Sequence, residues 1–312
     1  MKKQVIVVAG PTASGKTALG IELALHFGGE VVSADSMQIY RRMDIGTAKP
    51  TAEELSRVPH HMIDIADPDE DYSVARYVDE AVPVCDALLD AGKIPVIVGG
   101  TGLYIDSLLS GRNFGARDSS LSLREELNNK YDTLGGETLL KELSSFDPDR
   151  AAILHAADKK RIVRAFEVYL LTGETITEHD EKTKLIPPRY DPLFVIPGYL
   201  DRALLYRCID SRIDRMISEG LFREVRGLLD EGVPETCTAM QAIGYKEAVL
   251  FLKGDLSAEE SADLIKQSSR RYAKRQITWF ARRSDALRLY RDTLPSADDV
   301  CREAIKYIEE RL

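Results

Sequence analysis

The chain has 312 residues, enough for one large or two ordinary domains with a sizeable buried core. Its 44% hydrophobic and 30% charged residues are typical of a globular protein, and the longest apolar run falls well short of a membrane span. The brief apolar segment near the N-terminus argues against a signal peptide, and the net charge of −9 argues against non-specific coating of nucleic acid, so we expect a cytoplasmic protein without membrane contact.

The first hundred residues alternate short apolar strands with helical stretches, a pattern that predicts a parallel sheet covered by helices. The predicted strands are 4–9, 30–34, 61–65 and 94–98, and the predicted helices are 16–27, 51–56 and 73–91. Further along, helix-like apolar spacing without strands predicts helices at 121–130, 137–145 and 158–172.

The sequence then returns to the sheet after a proline-rich break at 187–192. A strand is predicted at 193–199, followed by helices at 201–230, 239–252, 258–282 and 296–311. The predicted fold class is therefore α/β, with a core formed by 1–114 and 191–312 and a helical insertion domain at 115–190.

Cysteine is scattered through the chain, with no C-x-x-C pair and no histidine at zinc-binding spacing. The four positions are Cys85, Cys208, Cys237 and Cys301. Reduced structural thiols are the expected state, and they agree with a cytosolic location.

The segment VVAGPTASGKTALGIELA, residues 7–24, contains the P-loop pattern G-x-x-x-x-G-K-[ST] between a predicted strand and a predicted helix. Its two glycines permit backbone N–H groups to surround an anion, Lys16 adds a full positive charge, and the Thr17 hydroxyl can bind Mg²⁺. The pattern predicts a P-loop nucleoside-triphosphate-hydrolase-like sheet and a polyphosphate site of the kind that holds ATP and other nucleotides.

Asp35 follows a predicted strand, at the sheet edge where doubly wound folds bind ligands. Three roles are open to its carboxylate: a magnesium ligand, a helix N-cap and a general base. Three residues later, the amide of Gln38 offers a donor and an acceptor that suit the edge of a nucleobase.

Thr101 and Arg212 are two further polar candidates. Thr101 follows the strand at 94–98, near the position where a Walker-type ATPase usually has an acidic metal ligand, and its hydroxyl suits either a phosphate or a turn. Arg212 falls on the apolar stripe of a predicted helix, so it requires either a phosphate or an internal salt bridge.

Two predicted helical segments interleave basic and aromatic residues, KKRIVRAFEVY at 159–169 and RRYAKRQITWF at 270–280. Between 266 and 291 there are nine basic residues and one acidic residue, the reverse of the overall charge. Such faces suit RNA backbone contact and base stacking, although solvated helix faces often have the same composition.

In combination, these motifs resemble those of the bacterial tRNA dimethylallyltransferases, also called tRNA isopentenyltransferases. The resemblance runs from Val5 to about Trp279 and rests on GPTASGKT, DSMQ-x-Y-x-x-MDIGTAKP, VGGTGLY, GLFREV, QAIGYKE and YAKRQITWF. It implies that a dimethylallyl group moves from dimethylallyl diphosphate to the exocyclic amine of the adenine 3′ of the anticodon, and that diphosphate leaves.

The resemblance also implies roles for the candidate residues. Asp35 would be the catalytic base, Thr101 would bond near the bridging oxygen of the donor, and Arg212 would contact the diphosphate. With Mg²⁺ as cofactor at Thr17, the diphosphate would be held by Gly10, Pro11, Thr12, Ala13, Ser14, Gly15, Lys16 and Thr17.

Contacts with tRNA are implied in several segments, and the insertion would close on the anticodon stem-loop. The implied residues are Asp35, Ser36, Met37, Gln38, Thr101, Arg124, Lys159, Lys160, Arg161, Ile162, Val163, Gln241, Ala242, Ile243, Gly244, Tyr245 and Lys246. Two positions depart from the family pattern: Cys208, where relatives commonly have arginine, and Lys160, where many have glutamine. We expect a monomer.

Three other functions stay open from the sequence. A neighbouring family of isopentenyltransferases modifies free adenine nucleotides, but it has little use for a helical insertion. A small-molecule kinase would use the P-loop to transfer the γ-phosphate of a nucleotide. A non-catalytic, nucleotide-dependent RNA-binding protein would retain its function after Asp35→Ala.

Overall fold

The computed structural model describes residues 3–111 and 121–312, which form two compact units. The first unit contains the described residues up to Leu109 and from Arg189 onward, and the second contains those from Ser110 to Pro188. The second boundary lies two residues before the predicted one at 190, and the predicted first boundary, between 114 and 115, lies outside the described residues.

A parallel sheet with strand order β3-β2-β4-β1-β5-β6 is the centre of the first unit. Its six strands are β1 (Gln4–Ala9), β2 (Glu30–Ser33), β3 (His60–His61), β4 (Pro95–Gly99), β5 (Asp191–Gly198) and β6 (Leu287–Tyr290). The apolar runs of β1 and β4 are buried on both faces, as central parallel strands require. The third predicted strand is shorter than expected, and β6 was not predicted.

Four helices precede the second unit: α1 (Lys16–His26), α2 (Ala52–Arg57), α3 (Val74–Asp90) and α4 (Gly102–Leu109). Thr51 and Glu54 form a capping box at the start of α2, and the Ser73 hydroxyl caps α3. Helix α4, which begins directly after Thr101, is an addition to the sequence prediction.

The second unit is helical, with its own small core. Its described helices are α5 (Leu121–Leu134), α6 (Gly136–Leu143), α7 (Pro148–Ile153), α8 (Lys159–Thr172) and α9 (Ile176–Lys184). Leu127, Leu139, Ile162 and Phe166 are among the buried residues that these helices pack together. The sequence predicts three of the five, and α7 and α9 are short, polar helices that lack a long apolar stripe.

Five helices complete the first unit: α10 (Arg202–Glu219), α11 (Leu221–Asp230), α12 (Tyr245–Lys253), α13 (Ala258–Phe280) and α14 (Ala297–Glu309). The prediction of one helix over 201–230 is wrong, because Gly220 adopts a φ of 112°, ends α10 and begins α11. No helix within residues 3–111 and 121–312 is long and apolar enough to cross a membrane.

The parallel topology gathers five loops at the carboxyl ends of the strands. The P-loop follows β1, the segment from Asp35 follows β2, and Gly100 and Thr101 follow β4. The loops after β5 and β6 begin with Tyr199 and Arg291. Residues far apart in the sequence therefore meet at one edge of the sheet.

Candidate active site

A cavity of about 1140 Å³ opens at this edge of the sheet, within the first unit. The P-loop, Asp35, Gln38, the segment 44–55 and the end of β4 contribute to its walls. Helices α10 and α13 close it with side chains that include Arg212 and Tyr272. The sequence-predicted P-loop, Asp35 and Arg212 thus share one cavity.

The P-loop backbone has the conformation that its glycines predict. Gly15 has a φ of 83°, a left-handed conformation that L side chains rarely adopt, and it precedes the first turn of α1. The Lys16 ammonium donates to the carbonyl of Pro11 at 2.6 Å. The fully buried Ser14 hydroxyl has no hydrogen-bond partner in the described parts of the chain.

Positive charge dominates the end of the cavity that the P-loop forms. Burial, and then repulsion from the Arg212 guanidinium, lowers the pKa of Lys16 to about 7, although the Asp35 carboxylate opposes the shift. Burial likewise lowers the pKa of Arg212, and Asp35 again opposes this. Arg207 and Arg215 also line the cavity. An anion bound among these groups would relieve their mutual repulsion.

The two oxygens of the Asp35 carboxylate differ in their hydrogen bonds. One oxygen, Oδ1, accepts from the backbone N–H groups of Met37 at 2.9 Å and Gln38 at 3.4 Å. These bonds form a local turn and not the helix N-cap predicted as one alternative, because no helix begins between β2 and α2, and they fix the side chain at the cavity wall. For Oδ2 the described residues provide no hydrogen bond, so this oxygen is available to accept a proton.

Thr101 links two of the loops at the sheet edge. Its Oγ1 accepts from the backbone N–H of Ser36 at 3.0 Å and lies 3.3 Å from the Ser36 hydroxyl. The cavity wall itself is formed by the neighbouring Gly99 and Gly100. Thr101 therefore lies beside Asp35, with its hydroxyl oxygen already accepting one protein hydrogen bond.

Gln276 on α13 is a site residue that sequence reasoning missed. Its side chain is almost fully buried; Oε1 accepts from the Thr12 N–H at 2.8 Å, and Nε2 donates to the Gly100 carbonyl at 2.9 Å. One amide thus joins the P-loop to the loop that precedes Thr101. The available signal was a polar residue at a core-facing position of an amphipathic helix.

Comparison with known proteins assigns the chain to a family. The family model described as IPP transferase matches residues 38–284, and the one described as isopentenyl transferase matches residues 3–66. The chain belongs to the IPP transferase family. It is 42% identical to the tRNA dimethylallyltransferase of Thermoanaerobacter sp. (strain X514), over 100% of this chain and 99% of that relative. It is 47% identical to the Geobacter metallireducens tRNA dimethylallyltransferase, over 92% of each chain.

Solved structures agree with this IPP transferase assignment. The full-length tRNA isopentenylpyrophosphate transferase from Bacillus halodurans matches with a TM-score of 0.74 and 39% identity, covering 99% of this chain and 96% of that one. A eukaryotic dimethylallyltransferase acting on tRNA matches with a TM-score of 0.83 and 28% identity, covering 99% and 80%. The P-loop-like parallel sheet is therefore the fold of this family.

In this IPP transferase, the amide of Gln38 is engaged within the protein. Its Nε2 donates to the carbonyls of Thr47 at 3.3 Å and Ala48 at 3.1 Å, and its Oε1 accepts from the Ser33 hydroxyl at 3.2 Å. Both amide hydrogens are thereby occupied. The geometry does not support the predicted recognition of a base edge by Gln38, because the side chain instead holds the segment 47–48 against β2.

Two motifs of the resemblance, GLFREV and QAIGYKE, contribute residues that hold the segment 44–46 beside the cavity. Glu224 on α11 accepts from the N–H groups of Asp44, Ile45 and Gly46 at 2.7–3.1 Å, and the Tyr245 hydroxyl donates to Glu224 at 2.5 Å. The residues of 241–246, which are predicted to contact tRNA, differ in their exposure. Gln241 and Lys246 are exposed and Ile243 is half-buried, but Ala242, Gly244 and Tyr245 are buried.

The helical unit contains six of the residues predicted to contact tRNA. Ile162 and Val163 are buried in its core, so their side chains do not face solvent. Arg124 pairs with Glu167 at 2.9 Å and Lys159 pairs with Asp132 at 2.6 Å. Lys160 and Arg161 are exposed, and they are the members of this predicted set whose side chains have no ion pair with a described residue.

The basic helix α13 is partly used for internal contacts. Lys266 and Arg270 pair with Asp214 and Asp210 of α10, and the Trp279 ring donates to Asp106 at 2.9 Å. Base stacking was a possible use of the aromatic residues in the two basic segments. It is excluded for Phe166 and Phe280, because both rings are buried.

Proposed function

We propose that this member of the IPP transferase family is a tRNA dimethylallyltransferase. It would move the dimethylallyl group of dimethylallyl diphosphate to the exocyclic amine of the adenine 3′ of the anticodon. The observation that carries the proposal is one cavity whose wall contains a P-loop, unpaired cations and the Asp35 carboxylate. The printed names of the relatives support the choice of donor and acceptor.

The P-loop and its cations would hold the diphosphate as a leaving group. In the reaction, the adenine nitrogen forms a bond to C1 of the dimethylallyl group while the C1–O bond breaks. The electron pair of that bond leaves on the diphosphate, where Lys16, Arg212 and the P-loop N–H groups stabilise the added charge. The P-loop therefore serves carbon–oxygen cleavage rather than phosphoryl transfer.

Asp35 would take the proton that the adenine amine loses. This amine is a weak nucleophile because its lone pair is delocalised into the ring, and a carboxylate that accepts the proton during bond formation lowers the barrier. The second oxygen of Asp35 is available for this, since Oδ1 accepts the Met37 and Gln38 N–H groups. An adenine in the anticodon loop must leave its stack to reach the cavity.

Mg²⁺ fits the site through the donor rather than through a protein cluster. Among residues 3–111 and 121–312 no group of three or more His, Cys, Asp or Glu side chains could hold a metal. Mg²⁺ commonly retains waters and binds substrate phosphates with few protein ligands, so the Thr17 hydroxyl at the cavity wall would be its ligand from the protein. When bound, Mg²⁺ would neutralise charge on the leaving diphosphate.

The helical unit would contact the anticodon stem-loop. Lys160 and Arg161 lie in the first turn of α8 with exposed side chains, and Arg124 keeps 45% of its side chain exposed while it pairs with Glu167. Backbone phosphates are the partners that suit such cations. In the first unit, Gln241 and Lys246 are the exposed members of the predicted set.

The test compares two acceptors with one donor. Purified protein receives dimethylallyl diphosphate and Mg²⁺ with unmodified tRNA in one reaction and with AMP in another, and nucleoside mass spectrometry looks for adenosine heavier by one C5H8 unit. Product from tRNA alone supports the proposal. Product from AMP alone would identify a nucleotide-specific isopentenyltransferase, and ATP consumption without either product would identify a kinase.

A further inference from the structure

The loop after β6 places an arginine, Arg291, beside the P-loop. The Arg291 N–H donates to the Gly198 carbonyl at 2.9 Å, which continues the pairing of β6 with β5. The Asp292 carboxylate accepts from the N–H groups of Leu200 at 2.9 Å and Asp201 at 2.7 Å. These bonds fix the backbone from which the Arg291 side chain extends.

The Arg291 guanidinium lies against Gly15 of the P-loop. A Cβ atom added to Gly15 would lie 2.3 Å from one terminal nitrogen of Arg291 and 3.2 Å from its Cζ, so a side chain and the guanidinium could not both occupy this space. Arg291 also belongs to the wall of the cavity that contains Lys16 and Arg212. Its charged end is therefore placed where the polyphosphate site begins.

Arg291 forms no salt bridge with a carboxylate of the described residues. The neighbouring Asp292 already accepts two backbone N–H groups, which together hold its pKa below the usual range. The N-terminus of α1 and Lys16 add positive potential beside Arg291. Placing an unpaired guanidinium at a positive pole is unfavourable unless an anion joins the group.

We propose that Arg291 is a further ligand of the diphosphate of the prenyl donor. It binds that anion from the β6 loop, while Lys16 binds from the P-loop and Arg212 from α10. The assignment rests on the proposed function for the identity of the anion. Arg291 is a charge-assisted donor with a planar fork of N–H groups, which suits two oxygens of one phosphate.

The test measures binding of inorganic diphosphate to the full chain without tRNA, by calorimetry, together with KM for dimethylallyl diphosphate. R291A and R291Q remove the charge, R291K keeps it without the fork, and R302A removes an exposed arginine of α14 that lies outside the cavity wall. We expect the diphosphate Kd to rise about 10- to 100-fold in R291A and R291Q, less in R291K, and within about twofold in R302A. Thermal unfolding identifies the folded variants, and R291Q and R291K decide the matter if R291A does not fold.

Two outcomes separate this inference from the proposed function. If the wild-type chain modifies tRNA while R291Q keeps the wild-type Kd and KM, the assignment of Arg291 is overturned alone. If diphosphate binding depends on Arg291 but the wild-type chain modifies no tRNA, Arg291 is a ligand of a bound anion and the proposed function is wrong.

Discussion

Two regions of the molecule concentrate positive charge, and they differ in what balances it. In the cavity of the first unit, Lys16, Arg212 and Arg291 form no salt bridge with a described residue. In the helical unit, Arg124 and Arg164 both pair with the buried Glu167. The helical pairs therefore stabilise the local fold around Glu167, whereas the three cations of the cavity have no carboxylate partner among the described residues.

The largest expected effect comes from removing the carboxylate that faces those cations. Asp35→Asn keeps the size of the side chain but cannot accept a proton, so kcat should fall about 10²- to 10⁴-fold. KM for dimethylallyl diphosphate should change little, because the diphosphate is held by other groups. Steady-state kinetics with tRNA measures both.

Asp69→Asn is the matched control for this variant, since Asp69 is exposed and lies outside the cavity wall. A fully active Asp35→Asn protein would remove the general base from the mechanism and leave Asp35 with only its hydrogen bonds to the Met37 and Gln38 N–H groups.

The next effect concerns the amide that joins two loops of the site. Gln276→Ala leaves the Thr12 N–H and the Gly100 carbonyl without their partner, so the P-loop and the Thr101 loop lose their connection. We expect kcat/KM for the donor to fall about 10- to 100-fold and the free energy of unfolding to fall by about 1–3 kcal/mol.

Gln276→Glu separates the two hydrogen bonds, because a glutamate can still accept from the Thr12 N–H but cannot donate to the Gly100 carbonyl. Its activity should lie between those of the wild type and Gln276→Ala. Equal activity of all three proteins would show that the bridge does not position the P-loop.

A smaller effect, on the affinity for diphosphate, is expected from a change of pH. In the free protein the pKa of Lys16 is lowered to about 7, so above pH 7 the amine is increasingly neutral. Bound diphosphate favours the ammonium, so binding takes up a proton and the affinity falls as pH rises above 7, by up to about tenfold per pH unit.

Calorimetry at pH 8 in two buffers with different ionisation enthalpies measures this proton uptake. Lys16→Arg provides the control, because arginine stays charged and its binding should take up no proton at this position. Absence of proton uptake by the wild type would mean that Lys16 is already charged in the free cavity.

The smallest effect belongs to the paired cations of the helical unit. Glu167→Gln removes the negative charge with which Arg124 and Arg164 both pair. We expect the free energy of unfolding to fall by only about 1 kcal/mol, because water can solvate both arginines. Amide hydrogen exchange of α8 should accelerate about fivefold, while the diphosphate Kd stays unchanged.

The exposed Glu125 supplies the comparison, since Glu125→Gln should leave exchange in α8 unaltered. A change in diphosphate affinity in Glu167→Gln would contradict the division between fold-stabilising and ligand-binding cations.

Parts of the site follow from the sequence for a definite physical reason. Parallel strands end at one edge of a sheet, so the residues that follow β1 and β2 must meet there once the strands are recognised. Glycine spacing likewise predicts the backbone of the P-loop, because few other residues accept the φ of Gly15.

Other parts depend on partners that sequence spacing does not reveal. Gln276 bonds to a residue 264 positions away, and Arg291 follows a four-residue strand that carries an arginine of its own and lacks a clear apolar run. In α8, a basic and apolar sequence does not say which face packs on neighbouring helices, and the burial of Ile162 shows the result. The partners and the burial of these side chains are set by contacts between distant parts of the chain, which local sequence patterns do not encode.

In the proposed reaction, the P-loop holds a leaving group and not a phosphate in transfer. The most direct measurement uses dimethylallyl diphosphate with oxygen-18 in the bridging position between carbon and phosphorus, and unmodified tRNA as acceptor. We predict that all of the label leaves with the diphosphate and that tRNA gains adenosine heavier by one C5H8 unit. Label recovered in dimethylallyl alcohol, with tRNA unmodified, would show that the phosphorus–oxygen bond breaks, and it would contradict the proposed carbon–oxygen cleavage.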